Sequence, residues 1–484
     1  MAGLMLQGTG SDVGKSTLVA GLCRALVNRG IKVLPFKPQN MSNNAAVTAD
    51  GGEIGRAQAV QAIAARAEPH TDMNPVLLKP QAETTAQLIV HGKVRGQLAA
   101  GNFIEGRRVL LEEVLVSFHR LQTRCDMVIA EGAGSPAEIN LREGDIANMG
   151  FARAVNMPVV LVGDIDRGGV IAAIAGTRTV LHPADAGMIK GFIVNKFRGD
   201  QALFGEGYRA IERLTGWRGF GIVPWLAAAQ RLPSEDAVVL REALPRASGR
   251  SRIACPVLPH IANFDDLDPL HAEPEVELVM VPPGEPIPAD ATLVVLPGSK
   301  STIADMAFLR AQGWDIDILA HHRRGGLLLG ICGGYQMLGR RIVDPLGIEG
   351  PAASIAGLGL LDVETVLSGR KTLHRVSGEA LGTRFTGYEM HMGGTDGPDA
   401  RSRPFARLDG NADGAISRDG RIFGTYCHGM LAGPALRGAL LARIGVQSQA
   451  FEQTRLVDAA LDEIAAMLER CLDIDDLIAL AQAR

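Results

Sequence analysis

Apolar and polar positions follow two rhythms along this chain. Short apolar runs that end in glycine or a polar group read as strands buried on both faces. In the N-terminal half they are Gly3-Leu4-Met5-Leu6-Gln7, Ile31-Lys32-Val33-Leu34-Pro35-Phe36, Met127-Val128-Ile129-Ala130, Val159-Val160-Leu161-Val162 and Phe192-Ile193-Val194. Further on, Ile253-Ala254-Cys255, Val276-Glu277-Leu278-Val279-Met280-Val281, Leu293-Val294-Val295-Leu296 and Leu327-Leu328-Leu329 continue the series. Helical spacing appears between and after them. Leu18, Leu22, Ala25 and Leu26 share one face of a helix that stops near Gly30, and Leu456, Ala460, Ile464 and Leu468 form an amphipathic stripe in the tail. The pattern predicts an α/β protein with mostly parallel sheets. Pro, Ser, Gly and charge without periodicity mark a linker at residues 240–251. The expected organisation is a first domain over 1–239, a second over 252–446, and a helical tail over 447–484. That tail is read as a packing or subunit element, which leaves a homo-oligomer open.

Composition narrows the class. A chain of 484 residues exceeds one ordinary core, and 46% apolar with 21% charged residues fits a globular protein. A net charge of −4 carries no polyanion footprint, so nucleic acid is not an expected partner and any phosphate must be held by a local site. No apolar run reaches the length of a membrane span, and Asp12 and Lys15 come too early for a signal peptide. The six cysteines lack C-x-x-C pairing, which argues against a disulfide frame and favours a reducing cytoplasm.

The first strand runs into Gly8-Thr9-Gly10-Ser11-Asp12-Val13-Gly14-Lys15-Ser16-Thr17 and then a helix. Strand, glycine-rich loop and helix in that order make a phosphate-binding loop. Backbone N–H groups of Gly8, Thr9, Gly14 and Thr17 wrap phosphates, Lys15 reaches the outer ones, and the Ser16 hydroxyl suits Mg²⁺. Three later strands deliver polar groups to the same carboxyl edge: Glu131, the Asp164-Ile165-Asp166-Arg167 run, and Asn195-Lys196. A carboxylate there suits the metal that bridges the terminal phosphates of ATP, and Glu131, with Asp50 upstream, is the candidate. Between them, Lys37-Pro38-Gln39-Asn40-Met41-Ser42-Asn43-Asn44 holds too many amides and hydroxyls for a core. It is expected to offer a broad hydrogen-bonding surface to a polar ligand.

The C-terminal half centres on Gly330-Ile331-Cys332-Gly333-Gly334-Tyr335-Gln336. A strand, a glycine-rich turn with cysteine at its apex and a helix put a thiol at the positive end of a helix dipole, which favours the thiolate. Taken alone, Cys332 reads more readily as a small buried hydrophobe than as a nucleophile. A thiol nucleophile needs a base, and the downstream histidines are His374, His391 and His428. His428, in Tyr426-Cys427-His428-Gly429 at a strand end, is expected to be exposed enough to act as one. Glu389 and His391 form a second polar pair on one extended face. The Pro297-Gly298-Ser299 turn offers N–H groups to an oxyanion.

These motifs carry a resemblance. The cysteine elbow and Tyr426-Cys427-His428-Gly429 resemble the class I glutamine amidotransferase domain, and the Gly8 loop is similar to the variant phosphate loop of the dethiobiotin synthetase group of P-loop NTPases. Their fusion in this order resembles the cobyrinic and cobyric acid amide synthases. Phe36 to Asn44, Glu53-Ile54-Gly55-Arg56-Ala57-Gln58, Met73 to Pro80, Glu131 to Asn140, Asp164 to Gly169 and Asn195 to Asp200 extend it over nearly the whole chain. The resemblance implies a P-loop NTPase-like, mostly parallel sheet domain followed by a class I amidotransferase-like α/β domain. It further implies ATP and Mg²⁺ as cofactors, glutamine as ammonia donor and a corrinoid substrate. Carboxylates b, d, e and g of adenosylcobyrinic acid a,c-diamide would be amidated in cobalamin synthesis. Residue by residue it implies Cys332 and His428 as catalytic pair, and Gly298, Gly333 and Gln336 around glutamine and the oxyanion. Asn195 would lie at the nucleotide, Ser16, Asp50 and Glu131 at the metal, and Gln39, Asn40, Ser42 and Asn43 on the corrinoid side. One position departs from the family pattern: Met430 stands where many class I amidotransferases place glutamate, so the group that orients His428 is unassigned. The rival readings are an a,c-diamide synthase and, from another class, a ParA-like ATPase switch with an inactive amidotransferase-like interaction domain.

Overall fold

A computed structural model describes residues 2–82, 85–99, 103–234 and 251–483. The chain forms two compact units. The first comprises Met1–Ser42, Thr48–Pro233 and Leu456–Arg484; the second comprises Asn43–Val47 and Ser234–Arg455. The stretch 240–250 expected as linker lies outside the described residues, and Ser251 already opens a strand.

In the first unit the apolar runs become β1 (Ala2–Gly8), β2 (Val33–Phe36), β3 (Met127–Glu131), β4 (Val159–Asp164), β5 (Ile189–Phe197) and β6 (Arg218–Pro224). They form one sheet in the order β6-β5-β4-β1-β3-β2, every pair parallel. Both faces are covered, so the strands stay apolar along their length rather than alternating. β1 sits where the strand order reverses, with Leu6 opposite Glu131 on one side and Gly8 opposite Val162 on the other. That reversal opens a crevice at the carboxyl edge, where open α/β sheets hold ligands. A smaller sheet of Gln39–Met41, Val76–Ala82, Thr85–Val90 and Lys93–Ala99 lies beside it in sequence.

Helix α1 (Lys15–Asn28) follows the glycine loop and is buried on more than the face that its leucines predicted. Its second face is covered by the tail helix Gln453–Cys471. A Cβ on Gly21 would meet Ile464 and Leu468 side chains at 2.6 Å, so glycine is what lets the two helices approach. Beside it the buried Arg24 guanidinium reaches Asp458 at 2.6 Å and Asp462 at 3.0 Å, and also donates to the Ile63 and Ala64 carbonyls. The tail from Leu456 onward is thus a packing element of the first unit.

In the second unit, β7 (Ser251–Pro256), β8 (Val276–Val281), β9 (Leu293–Leu296) and β10 (Leu327–Ile331) form a parallel sheet in the order β8-β7-β9-β10. A long hairpin follows, β11 (Glu364–Ala380) and β12 (Thr383–Asp396). β13 (Ile422–Thr425) then adds to the parallel sheet beside β10. The two-residue β14 (Cys427–His428) pairs instead with β12, placing His428 opposite Tyr388. The chain therefore switches sheets between Thr425 and Cys427, next to the end of β10. Among the described residues no helix is long and apolar enough to cross a membrane.

Candidate active sites of the two units

In the second unit the site is built on a strained turn. Cys332 follows β10 with φ 52 and ψ −109, a left-handed backbone that a residue with a side chain seldom adopts and that costs on the order of 1–3 kcal/mol. It is held there by its own N–H on the Thr425 carbonyl, 2.8 Å, and by the Gln336 N–H on its carbonyl, 3.1 Å. The glycines around it are steric requirements. A Cβ on Gly334 would lie 2.0 Å from the Leu296 carbonyl oxygen, so only glycine lets the short helix Gly333–Leu338 pack on β9. The thiol is buried and points at the Met390 carbonyl of β12, 3.5 Å away.

His428 lies close enough to that thiol for Cys332 to raise its pKa. Its Nδ1 lies 2.6 Å from Asp266 Oδ2, while Asp266 Oδ1 accepts the Gly429 N–H at 2.6 Å. Asp266 thus fixes both the ring and the turn that carries it, leaving Nε2 for the sulfur. The Tyr388 ring stacks on the imidazole with centroids 5.4 Å apart, and the Tyr388 hydroxyl accepts from Asn263. Burial alone would lower the imidazole's pKa. The Asp266 charge and hydrogen bond, joined by Cys332, outweigh it and push His428 up to about 10. The expectation that His428 is exposed is corrected: it is 1% exposed, because β14 is enclosed under Tyr388 and Asp266. Gly298 comes to the same place, since a Cβ on it would meet His428 Cε1 at 3.1 Å. A Cβ on Gly333 would meet the Ser299 backbone N at 2.8 Å, so the two glycine turns face each other.

Gln336 is 3% exposed and fully engaged: Nε2 donates to the Met392 carbonyl and the Tyr426 hydroxyl, and Oε1 accepts from Thr302. The other two candidate histidines take a different carboxylate. His374 and His391 both bond Glu389, and His391 stacks on Tyr426 with centroids 3.8 Å apart.

In the first unit the phosphate loop is closed on itself. Lys15 Nζ donates to the carbonyls of Gly10, 2.8 Å, and Gly134, 3.1 Å. Gly14 has φ 91, and a Cβ there would overlap Asn195 Nδ2, which itself donates to the Val13 carbonyl. Asn195 is therefore seated against the loop. Thr9 binds the Val162 carbonyl through its N–H, and Thr17 lies half-buried in the first turn of α1. Gly8 is buried over Lys15 Nζ, 2.8 Å from where its Cβ would stand.

Glu131, at the end of β3, accepts from Ser16 Oγ at 2.8 Å, Gln61 Nε2 at 2.6 Å and Lys37 Nζ at 3.0 Å. Burial would raise its pKa, but Lys37 first, then Gln61, Ser16 and Lys15, hold it below the usual carboxylate value. A buried carboxylate beside a loop serine is a hard-oxygen set that fits Mg²⁺ together with phosphate oxygens. Asp50 is not brought to this pair: its carboxylate takes Thr71 and faces His70. The polar stretch after β2 is also corrected. Gln39, Asn40 and Ser42 are buried rather than spread over a surface; Asn40 bonds Gln58 at 2.9 Å, while Asn43 Oδ1 and Gln58 Nε2 are buried without a hydrogen-bond partner among the described residues. Asn43, half-buried, belongs to the second unit.

Three residues escaped sequence reasoning. Asp266 lies in an Asn-Phe-Asp-Asp turn that reads as an ordinary helix cap. Lys37 sits at the head of a polar stretch read as surface, and Gln61 is one of two amides on the helix Arg56–Ala64. A lysine directly after β2, at the edge that carries Glu131, was the available signal for the second.

Comparison with known proteins agrees with both halves. The profile of the CobQ/CobB/MinD/ParA nucleotide binding domain matches residues 4–239, and that of the CobB/CobQ-like glutamine amidotransferase domain matches 252–436. The cobyric acid synthase of Rhizorhabdus wittichii is 70% identical over 484 residues, covering 100% of both chains. That of Novosphingobium aromaticivorans is 70% identical over 99% of this chain and 98% of its own, and that of Sphingopyxis alaskensis 68% over 99% of each.

Proposed function

Because this chain belongs to the cobyric acid synthase family, glutamine-dependent amidating ligases of cobalamin biosynthesis, we propose that it amidates carboxylates b, d, e and g of adenosylcobyrinic acid a,c-diamide. Glutamine supplies the nitrogen and ATP the driving force. What carries the reading is one chain holding both a Cys332–His428–Asp266 line and a phosphate loop facing a buried carboxylate. An a,c-diamide synthase would carry the same two halves, and the full-length relatives, which are cobyric acid synthases, favour the present reading over it; an ATPase switch needs no thiol aligned with an imidazole.

Hydroxide is a poor leaving group, so a carboxylate does not condense with ammonia at neutral pH. The γ-phosphoryl of ATP passes to the corrinoid carboxylate, giving an acyl phosphate, while Lys15 and the loop N–H groups hold the phosphate oxygens. Ser16 and Glu131 would hold Mg²⁺, which supplies charge neutralisation on the transferred group. Lys37, bonded to Glu131, places a second positive charge at the same edge. Gln39, Asn40, Ser42 and Asn43 remain the corrinoid-side candidates, and Asn195 the nucleotide-side one.

In the second unit, Cys332 Sγ attacks the side-chain amide carbon of glutamine with its proton already on His428, which Asp266 keeps as the imidazolium. The oxyanion is met by the Gly333 and Gly298 N–H groups. His428 returns the proton to the leaving nitrogen, ammonia departs, and water then cleaves the thioester to glutamate. Asp266 stabilises the imidazolium throughout and is a positioning residue. Ammonia then displaces phosphate from the acyl phosphate. Incubation with ¹⁵N-amide glutamine, Mg-ATP and adenosylcobyrinic acid a,c-diamide, followed by mass spectrometry, tests the reading. Four successive carboxylate-to-amide conversions are expected; a stop at two, or none, overturns it.

A further inference from the structure

The amide of Gln336 poses a proton-counting problem. Thr302 Oγ lies 3.0 Å from Gln336 Oε1 and 3.2 Å from Glu349 Oε1, yet a hydroxyl has one proton to give. If Glu349 is ionised, its charge claims that proton, and Gln336 Oε1 loses its donor. If Glu349 is protonated, its O–H donates to Thr302, Thr302 donates to Gln336, and the chain is satisfied throughout. Glu349 Oε2 accepts the Ile303 N–H in either case, and Asp344 holds the Glu349 turn by accepting the N–H groups of Ile348 and Glu349.

Position gives the chain a purpose. The thiol of Cys332 contacts the Met390 carbonyl and the Gln336 amide contacts the Met392 carbonyl of the same strand. Two residues along a strand is roughly 7 Å. Glutamine's four-bond span from side-chain amide carbon to α-nitrogen is about 5 Å when extended, and a contact at each end carries it from Cys332 to the Gln336 amide. Gln336 Oε1, on the other arm of that amide, is buried, and once Thr302 turns to Glu349 it is matched to an ammonium N–H.

We propose that Glu349 is a positioning residue of the glutaminase site, whose proton decides whether the Gln336 carbonyl is capped by Thr302 or open to the α-ammonium of glutamine. This rests on Gln336 holding glutamine. The switch operates near neutrality, because burial, opposed by the Ile303 N–H, Lys300 and Thr302, raises Glu349 to about 7. The charged groups facing Glu349 are Lys300 and His260, the latter raised above its ordinary value by its hydrogen bond to Asp305, with Asp344 on its own turn. Asp413, raised by burial to about 6, reaches the site separately through Thr425 and the Tyr426 N–H.

The test is glutaminase KM against pH in the full chain for wild type, Glu349→Gln and Thr302→Val. Ammonia-driven amidation serves as the measure of an intact fold. In wild type, KM for glutamine rises about tenfold from pH 8 to pH 6. Glu349→Gln mimics the protonated state, so its KM is flat at the acid-side value. Thr302→Val removes the cap, so its KM is flat at the alkaline-side value. A merely structural role moves both variants in the same direction, and Asp413 as the titrating group leaves the slope intact in Glu349→Gln. Either outcome overturns the proposal, as does a flat wild-type profile. Absence of glutaminase activity from wild type would instead sink the functional reading on which it rests.

Discussion

The chemistry of the second unit depends at residue scale on a carboxylate with no motif of its own. Asp266 fixes which nitrogen of His428 faces sulfur, so Asp266→Asn is expected to leave the fold intact and cut glutaminase kcat by roughly 10²–10⁴. Ammonia-driven amidation should be unchanged; a glutaminase rate within a few-fold of wild type would show that Asp266 does not orient the ring. The same pair has a pH signature. His428 is raised above its ordinary value of 6.5 to about 10, so its ion pair stabilises the folded state fully below pH 6.5 and not at all well above pH 10. The Tm gap between wild type and Asp266→Asn should therefore narrow as pH climbs from 7 to 10 and beyond; a constant or widening gap contradicts the pairing. Cys332 and His428 were legible because each sits in a strand-end motif. Asp266 was not, because it lies 162 positions before His428 and only the sheet switch at Tyr426 brings them together.

At the scale of elements, both sites are helix starts placed by glycine at the carboxyl edge of a parallel sheet. The strands could be read off the chain because burial on both faces makes each a continuous apolar run. The face of α1 that carries Gly21 and Arg24 could not, since neither residue reads as core until the tail helix packs on Gly21 and pairs with Arg24. Two substitutions probe this scale. Gly334→Ala drives a methyl into the Leu296 carbonyl and should cost at least ~1–3 kcal/mol in urea unfolding of the second unit, with loss of glutaminase. An unaltered midpoint would mean that the elbow helix packs with more room than described. Arg24→Ala removes a buried guanidinium shared by two half-exposed carboxylates. After allowance for solvent screening of those partners it should cost about 1–3 kcal/mol and make the tail a site of early proteolysis. Tail cleavage no faster than in wild type argues against that anchor.

For the molecule as a whole, the first unit is discontinuous: it starts the chain and takes back its last segment after the second unit is complete. A chain ending at Arg455 should therefore lose ATP-dependent amidation while keeping glutaminase, because the lost helices cover α1 and none of Cys332, His428 or Asp266. Two α/β halves with separate chemistries were visible in the order of motifs. The return of the tail was not, because an amphipathic stripe states that a face is covered and not by what. The central claim is that Cys332 makes ammonia in one unit for an activated carboxylate bound in the other. It is tested most directly by Cys332→Ala assayed for corrinoid amidation with glutamine and, separately, with ammonium salt at alkaline pH. Loss of the glutamine-driven reaction with the ammonium-driven one retained is the predicted result; loss of both, or survival of the glutamine-driven reaction, contradicts it.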